Sequence, residues 1–342
     1  MVSNSVEKNS GIVQTVIGPV PAQELGVVLI RESILSVVPG AELAPEINMD
    51  ENRIFEILRS TLTEFRQLGG RTIVDCGGMY QGRNIPLYRL LSKETGVHIV
   101  ASTGLGTEPT TGAYFTTPPT MMLNPPRPLP IEYLADLFAR EVTEGIAVPK
   151  RERSGPAGVI CIAASQGGLT LFEKQVYRAA ARAALLTGVA VSIQVGDDAL
   201  HELDILESEG LAPGRVIVGG LDRLDTDGHN EIVSVARRGA MVALDHAGWS
   251  PQEGYMSDQQ RAELVLELFE TGLGDRLLVS SNAVGCAIGY EVPRGGFGQV
   301  LGSFVPILRQ AGGTEEQIRI LLEDNPRGLL AIDTAGVVET KS

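Results

Sequence analysis

The chain has 342 residues, 43% hydrophobic and 20% charged, with a mean hydropathy of +0.09, which is material for one large buried core. A formal net charge of −14 sets the surface against phosphate backbones and anionic bilayers, arguing against nucleic-acid and membrane roles. Three cysteines without CxxC spacing cannot build a disulfide framework, the start of the chain lacks the basic and apolar regions of a signal peptide, and no apolar run approaches the ~20 residues of a membrane span; a cytoplasmic protein with reduced thiols is expected.

In chain order, strands are predicted at Gly26–Ile30, Arg71–Asp75, His98–Ser102, Gly158–Ala163, Val189–Gln194, Arg215–Gly219, Ala240–Asp245 and Arg276–Ser281. They are short, rich in Val, Ile and Leu, and not alternating, as parallel strands buried on both faces should be. Amphipathic helical patterns lie between them, among them Arg53–Gln67, Thr170–Leu186 and Asp258–Thr271. Glycines that end helices announce several strands: Gly69-Gly70, Gly96, Gly188, Gly239 and Gly274. Eight strand–helix units with right-handed crossovers predict an α/β fold, a single-domain (β/α)8 TIM barrel; no GxGxxG follows an early strand to favour a dinucleotide fold. Two longer stretches, Thr103–Pro130 and Asn282–Gly298, follow the third and eighth strands. Both are predicted to lie on the face where barrels build active sites, either covering a substrate or merely connecting elements.

The run Val13-Gln14-Thr15-Val16-Ile17-Gly18-Pro19, followed by Glu24-Leu25-Gly26, resembles the opening of phosphotriesterase-like lactonases of the amidohydrolase superfamily. Thr72-Ile73-Val74-Asp75, Gly82-Arg83-Asn84, His98 through Gly104, Glu207-Ser208-Glu209-Gly210, Leu244-Asp245-His246 and Phe304-Val305-Pro306 continue the resemblance in order along nearly the whole chain. It implies a (β/α)8 barrel, a homodimer, and two divalent metals at the barrel mouth that activate a bridging water. In that family the metals are held by His-x-His after the first strand, a carboxylated lysine on the fourth, a histidine after each of the fifth and sixth, and an aspartate after the eighth.

This chain departs from that ligand set position by position. Arg31-Glu32-Ser33 stands in place of the His-x-His, Cys161 in place of the lysine, Gln194 and Gly220 in place of the two histidines, and Asn282 in place of the aspartate. The chain holds four histidines, His98, His201, His229 and His246, and only His246 follows a strand on the mouth side. A guanidinium at position 31 stays protonated and repels a divalent cation. No metal and no cofactor are therefore expected.

Four residues are candidates for catalysis. Cys161, if near Arg31 and His246, is either an ionised nucleophile or a small core residue filling the space of a lysine. His246, with Asp245, is either a general acid or base or a hydrogen-bonded structural histidine. Arg31 either clamps a substrate anion or pairs with Glu32, Asp75 or Asp222. Glu32, Ser33, Gln194 and Asn282 offer polar contacts for a substrate, and Tyr80, Tyr114 and Trp249 either wall an apolar pocket or pack within their own loops. Asp75 is assigned to the barrel frame, and Cys76 and Cys286 are expected to be unreactive.

Three functions remain. The first is a metal-independent enzyme acting on a small polar substrate by acid–base or cysteine chemistry, through hydrolysis, elimination, isomerisation or cyclisation. Its motive is that the vacated positions carry polar groups, whose burial costs stability, rather than Leu, Val or Phe. The second is a non-catalytic relative that binds a small molecule or a partner. The third is a hydrolase with a relocated metal site drawn from Glu32, Asp75, Cys161, Asp245 or His246.

Overall fold

The computed structural model describes residues 11–47, 50–79, 81–117, 130–148, 152–224, 228–291 and 296–332. Nine parallel strands form one sheet, in the spatial order β8-β7-β6-β5-β4-β3-β2-β1-β9. They are β1 (Val27–Val37), β2 (Gly70–Asp75), β3 (His98–Thr103), β4 (Ala157–Ala163), β5 (Ala190–Gln194), β6 (Val216–Gly219), β7 (Met241–Leu244), β8 (Leu277–Val279) and β9 (Val284–Ile288). Helices α1 (Glu51–Gln67), α2 (Ile85–Thr95), α3 (Pro130–Thr143), α4 (Leu171–Thr187), α5 (Ala199–Ser208), α6 (Gly228–Arg238) and α7 (Asp258–Glu270) occupy the crossovers. The first eight strands are those expected from the sequence, their ends displaced by two residues at most except at the end of β1, and the sheet curls into the expected barrel. None of the helices among the described residues is long and apolar enough to cross a membrane.

Side-chain alternation separates two cores. Ile73, Ile99, Ile160, Ile193 and Val218 point outward and pack on helix residues such as Leu58, Phe65, Tyr88 and Val176. Their neighbours Val74, Val100, Val159, Ala190, Ile217, Ala243 and Leu278 point inward and fill the barrel. An amino-terminal hairpin, Ile12–Thr15 with Gly18–Pro21, plugs one end; Val13 joins the inner core, and Ile12 and Ile332 exchange backbone hydrogen bonds of 3.1 and 2.9 Å.

At the other end the inner layer turns polar two residues further along each strand. Val100 is followed by Ser102, Val159 by Cys161, Ala190 by Ser192, Ala243 by Asp245 and Leu278 by Ser280. Helix amino-termini beyond it are capped by Asp50, Asn84, Thr170, Asp198 and Ser257, each accepting from a backbone N–H of the first turn.

Two features depart from the sequence reading. Strand β1 runs on to Val37 although polar Ser33 and Ser36 end its apolar run, because a second parallel strand covers its outer edge. That strand, β9, lies inside the stretch Asn282–Gly298, which is therefore not a loop throughout; residues 292–295 fall outside the described residues. In the stretch Thr103–Pro130, Ala113–Thr116 forms a single helical turn, and residues 118–129 lie outside the described residues.

Side chains and loop backbone bring β1 and the end of β8 together. The Arg31 backbone N–H donates to Ser280 Oγ at 2.9 Å, and the fully buried Glu32 carboxylate accepts from the Ser280 hydroxyl (2.7 Å), the Ser281 N–H (2.8 Å) and hydroxyl (2.9 Å), and the Ala283 N–H (2.5 Å). Glu32 thus satisfies two buried backbone donors exactly where the strand ladder stops. We predict that Glu32→Ala lowers the free energy of unfolding by about 3 kcal/mol or more, since it leaves several buried donors without a partner. Urea denaturation checks this; a loss within experimental error would show that the seam holds without Glu32.

Candidate functional site

The mouth is organised around Arg31, whose inward direction comes from a bulge. Leu29 pairs with Ile73 and Glu32 with Asp75, so β1 spends one more residue than β2 over the same rise. The extra residue reverses the alternation and turns Arg31 into the barrel where regular pairing would turn it out. Its Nε donates to Asp245 Oδ2 at 2.7 Å. Nη1 donates to the Ser192 hydroxyl and, at 3.3 Å, to the Ile193 carbonyl, while Nη2 donates to Gln194 Oε1. Asp245, rather than Glu32, Asp75 or Asp222, is the acidic partner of Arg31.

Two glycines make room for this clasp. A Cβ on Gly219 would stand 2.3 Å from Arg31 Nε and 2.7 Å from Asp245 Oδ2. At Gly220, where φ is +83°, a Cβ would stand 2.2 Å from Gln194 Nε2, and its backbone N–H donates to Asp245 Oδ1 at 2.9 Å. The end of β6 is bare so that the guanidinium and its partners can lie across it.

His246 continues the chain of charges. Its Nδ1 lies 2.6 Å from Asp222 Oδ1 and 3.2 Å from Asp245 Oδ1, and its ring stacks on Tyr255 at 3.9 Å between centroids with the Trp249 edge against it at 5.3 Å. Asp222 also accepts from Arg261 Nε at 2.7 Å, and Arg261, fully buried on α7, ties itself to Asp258 and to the Trp249 carbonyl. Burial alone would strip the imidazole of its proton, but Asp245 and Asp222 outweigh it and raise the His246 pKa to about 9. Burial likewise opposes ionisation of Asp245, yet His246 and Arg31 hold its carboxyl below the ordinary carboxylate range. A pKa of about 9 favours the imidazolium form of His246 at neutral pH, and the ring is 2% exposed.

The thiols occupy the opposite side of the mouth. Cys161 points inward on β4, and Cys76, the first residue past β2, packs against the same inner cluster and donates its S–H to the Ile30 carbonyl at 3.7 Å. Burial raises the pKa of Cys161, but the neighbouring Cys76 thiol, the charge of Arg31 and the Ser102 hydroxyl together bring it below that of an ordinary thiol. The neighbouring Cys161, with burial, pushes Cys76 well up. Cys286, the other cysteine expected to be unreactive, lies on β9 in the outer core.

The remaining candidates divide. Gln194 and Asn282 reach the site; Asn282, at φ +48°, places its amide nitrogen 3.4 Å from His246 Nε2. Trp249 anchors its indole N–H on the Ser281 carbonyl at 2.9 Å and walls His246. Glu32 and Ser33 serve the β1–β8 and β1–β9 seams, Ser33 through its N–H to the Ala283 carbonyl. Tyr114 joins a cluster with Phe115 and Tyr133, and Tyr80 lies outside the described residues. Asp75 accepts from the Ile34 N–H at 2.7 Å, in keeping with a frame role. The sequence points to no site role for Ser192, Ser280, Arg261 or Tyr255, and offers Asp222 only as an alternative partner of Arg31. The two serines were legible as the polar members of Ala190-x-Ser192-x-Gln194 and Leu278-x-Ser280; for Arg261, far off on a helix, no sequence signal existed.

Asp222, Asp245 and His246 are the described residues whose ligand atoms converge enough to hold a metal, within 4.8 Å of one another. Each of those carboxylates is already bonded to a buried arginine and to His246.

The model of the phosphotriesterase family matches residues 11–330. The chain belongs to this family. It is 28% identical to the aryldialkylphosphatase of Saccharolobus solfataricus, over 90% of this chain and 96% of that one, and 27% identical to the N-acetyltaurine hydrolase of Danio rerio, over 93% and 97%. Among solved structures it is similar to the organophosphorus hydrolase from Deinococcus radiodurans, with a TM-score of 0.82 and 26% identity over 96% of this chain and all of that one.

The raised pKa of His246 yields a pH-dependent test. Because it lies above the value of about 6.5 for a free imidazole, the stabilisation is complete below pH 6.5 and is lost as pH rises through about 9. We predict that His246→Gln removes up to about 3 kcal/mol of this pH-dependent stability. Glu32 and Asp75, both raised to about 7 by burial, lose stability with rising pH in both proteins, so the difference between them isolates His246. Parallel pH–stability curves for the two proteins would refute the charged His246.

Proposed function

We propose that this family member is a metal-independent hydrolase that attacks a small polar ester- or amide-like substrate with the Cys161 thiolate. The observation that carries the reading is the placement of Arg31: a fixed cation lies across Gly219 in the middle of the polar layer, where its charge acts on Cys161. A pair of divalent metals does not fit these surroundings. They would stand against the guanidinium, Asp245 is already committed to it, and Gln194 and Gly220 supply no anionic ligand. Relatives named for hydrolysis of a phosphotriester-type substrate and of an N-acetyl amide support a hydrolytic reaction.

In this reading Cys76, the field of Arg31 and Ser102 favour the thiolate form of Cys161. Sγ adds to the carbonyl carbon, the bond to the leaving group breaks, and the leaving group takes a proton from water. Hydroxide then cleaves the thioester and returns the thiolate. The guanidinium, with one Nη2 hydrogen beyond its four hydrogen bonds to described residues, faces the developing oxyanion.

A second reading, a non-catalytic binding relative, draws on the depth of the site, where Cys161 is 8% and Arg31 5% exposed. A screen of activated esters, lactones and N-acetyl amides separates the two. Turnover is expected to survive chelation, with less than a tenth of an equivalent of metal by elemental analysis, and to fall at least ~100-fold in Cys161→Ser. One or two tightly held metal equivalents, or undiminished turnover in Cys161→Ser, would overturn the metal-independent thiol mechanism.

A further inference from the structure

We infer that Gln194 is a second catalytic donor, whose side-chain N–H joins Arg31 in binding the oxygen of an acyl substrate as the Cys161 thiolate adds to its carbonyl carbon. This role rests on the thiolate reaction proposed above. Gln194 stands half-buried at the end of β5, one inward position beyond Ser192. In the register of β4 and β5, Cys161 is paired with Ser192 and Ala163 with Gln194, so the amide lies one step above the sulfur on the neighbouring strand. Arg31 spans the same two residues, with Nη1 on the Ser192 hydroxyl and Nη2 on Gln194 Oε1.

The guanidinium decides which way the amide faces. It has no acceptor to offer, so Oε1 must be turned toward it and Nε2 away. Nε2 comes to rest over Gly220, 2.2 Å from where a Cβ would stand, and no described residue accepts a hydrogen bond from it. Were the position needed only to hold Arg31, a carboxylate would hold it more strongly. Glutamine gives up that charge and gains a fixed donor beside the cation, a donor that the surrounding structure does not use. Because Nη2 and the amide are in direct contact, one oxygen atom can lie within reach of both. As Sγ bonds to the carbonyl carbon, the π pair of the carbonyl moves onto that oxygen, and Nη2–H and Nε2–H donate to it without giving up their protons. An acyl compound suits this arrangement, because addition to a trigonal carbonyl places all the new charge on one oxygen.

Trifluoroacetone is a probe for this role that needs no known substrate. A thiolate adds to its carbonyl to give a hemithioketal, whose oxygen can be titrated by fluorine NMR. The unaltered protein is expected to form this adduct at Cys161, and Cys161→Ser is not. In the unaltered protein the oxygen should stay ionised to a pH about two units lower than in Gln194→Met, the equivalent of the ~100-fold effect of losing one oxyanion donor. Gln194→Glu, which keeps an oxygen for Arg31 but exchanges the donor for an acceptor, should shift in the same direction and decides the matter if Gln194→Met does not fold. Identical titrations in the unaltered protein and the folded variant would overturn the role of Gln194 and leave the thiolate in place. An unaltered protein that forms no adduct at Cys161 would overturn the thiolate reaction, and the role of Gln194 with it.

Discussion

A guanidinium buried at the mouth of the barrel sets the terms for the groups around it. Arg31 brings a full positive charge to within 2.7 Å of Asp245 and to hydrogen-bonding distance of β5, in a place reached by little solvent. From there, charges alternate in sequence, Arg31, Asp245, His246, Asp222 and Arg261, so that each carboxylate lies between two cations. Burying such charges is unfavourable one by one, and neutralising only part of the set leaves a penalty of several kcal/mol. The set therefore behaves as a unit, linking β1, β5, β6, β7 and α7 more through electrostatics than through packing.

The barrel supports this chain of charges by changing character along its axis. Below, small inward residues from all eight strands close the interior without polar atoms. One inward step higher, serines, cysteines, an aspartate and an arginine replace them. Hydrophobic burial supplies the stability in the lower layer, and the upper layer draws on it to hold polar groups in fixed directions. The bulge in β1 is the device that joins the two, because it points Arg31 inward while leaving Glu32 to seal the seam with β8.

Much of this was legible in the sequence, for identifiable reasons. Val, Ile and Leu runs bounded by helix-ending glycines located eight strands to within two residues, the end of β1 excepted, because parallel strands buried on both faces have little alternative composition. Strand β9 was not legible: Val284-Gly285-Cys286-Ala287-Ile288 sits in a glycine-rich segment and is ordered by pairing with β1. In the site, Arg31, Asp245, His246, Gln194 and Cys161 were picked out as residues at strand ends. The partner of Arg31 was not, since its choice of Asp245 depends on a one-residue bulge that no local pattern announces. Tyr114 illustrates the converse, since a position after the right strand is no guarantee of reaching the mouth when a loop can carry the ring to its own neighbours.

The two sides of the mouth respond oppositely to the same cation. Asp245 and His246 consume the charge of Arg31 in a closed arrangement, in which each proton position is fixed and little capacity for acid–base work remains. Cys161 feels the charge of Arg31 with no carboxylate bonded to it among the described residues, and a thiol and a hydroxyl act on it from Cys76 and Ser102. A buried cation beside a fully paired aspartate stabilises structure; the same cation beside an ionisable thiol lowers the cost of a reactive anion. In the function proposed above, chemistry therefore falls to the sulfur side and His246 to the residues that hold the mouth together.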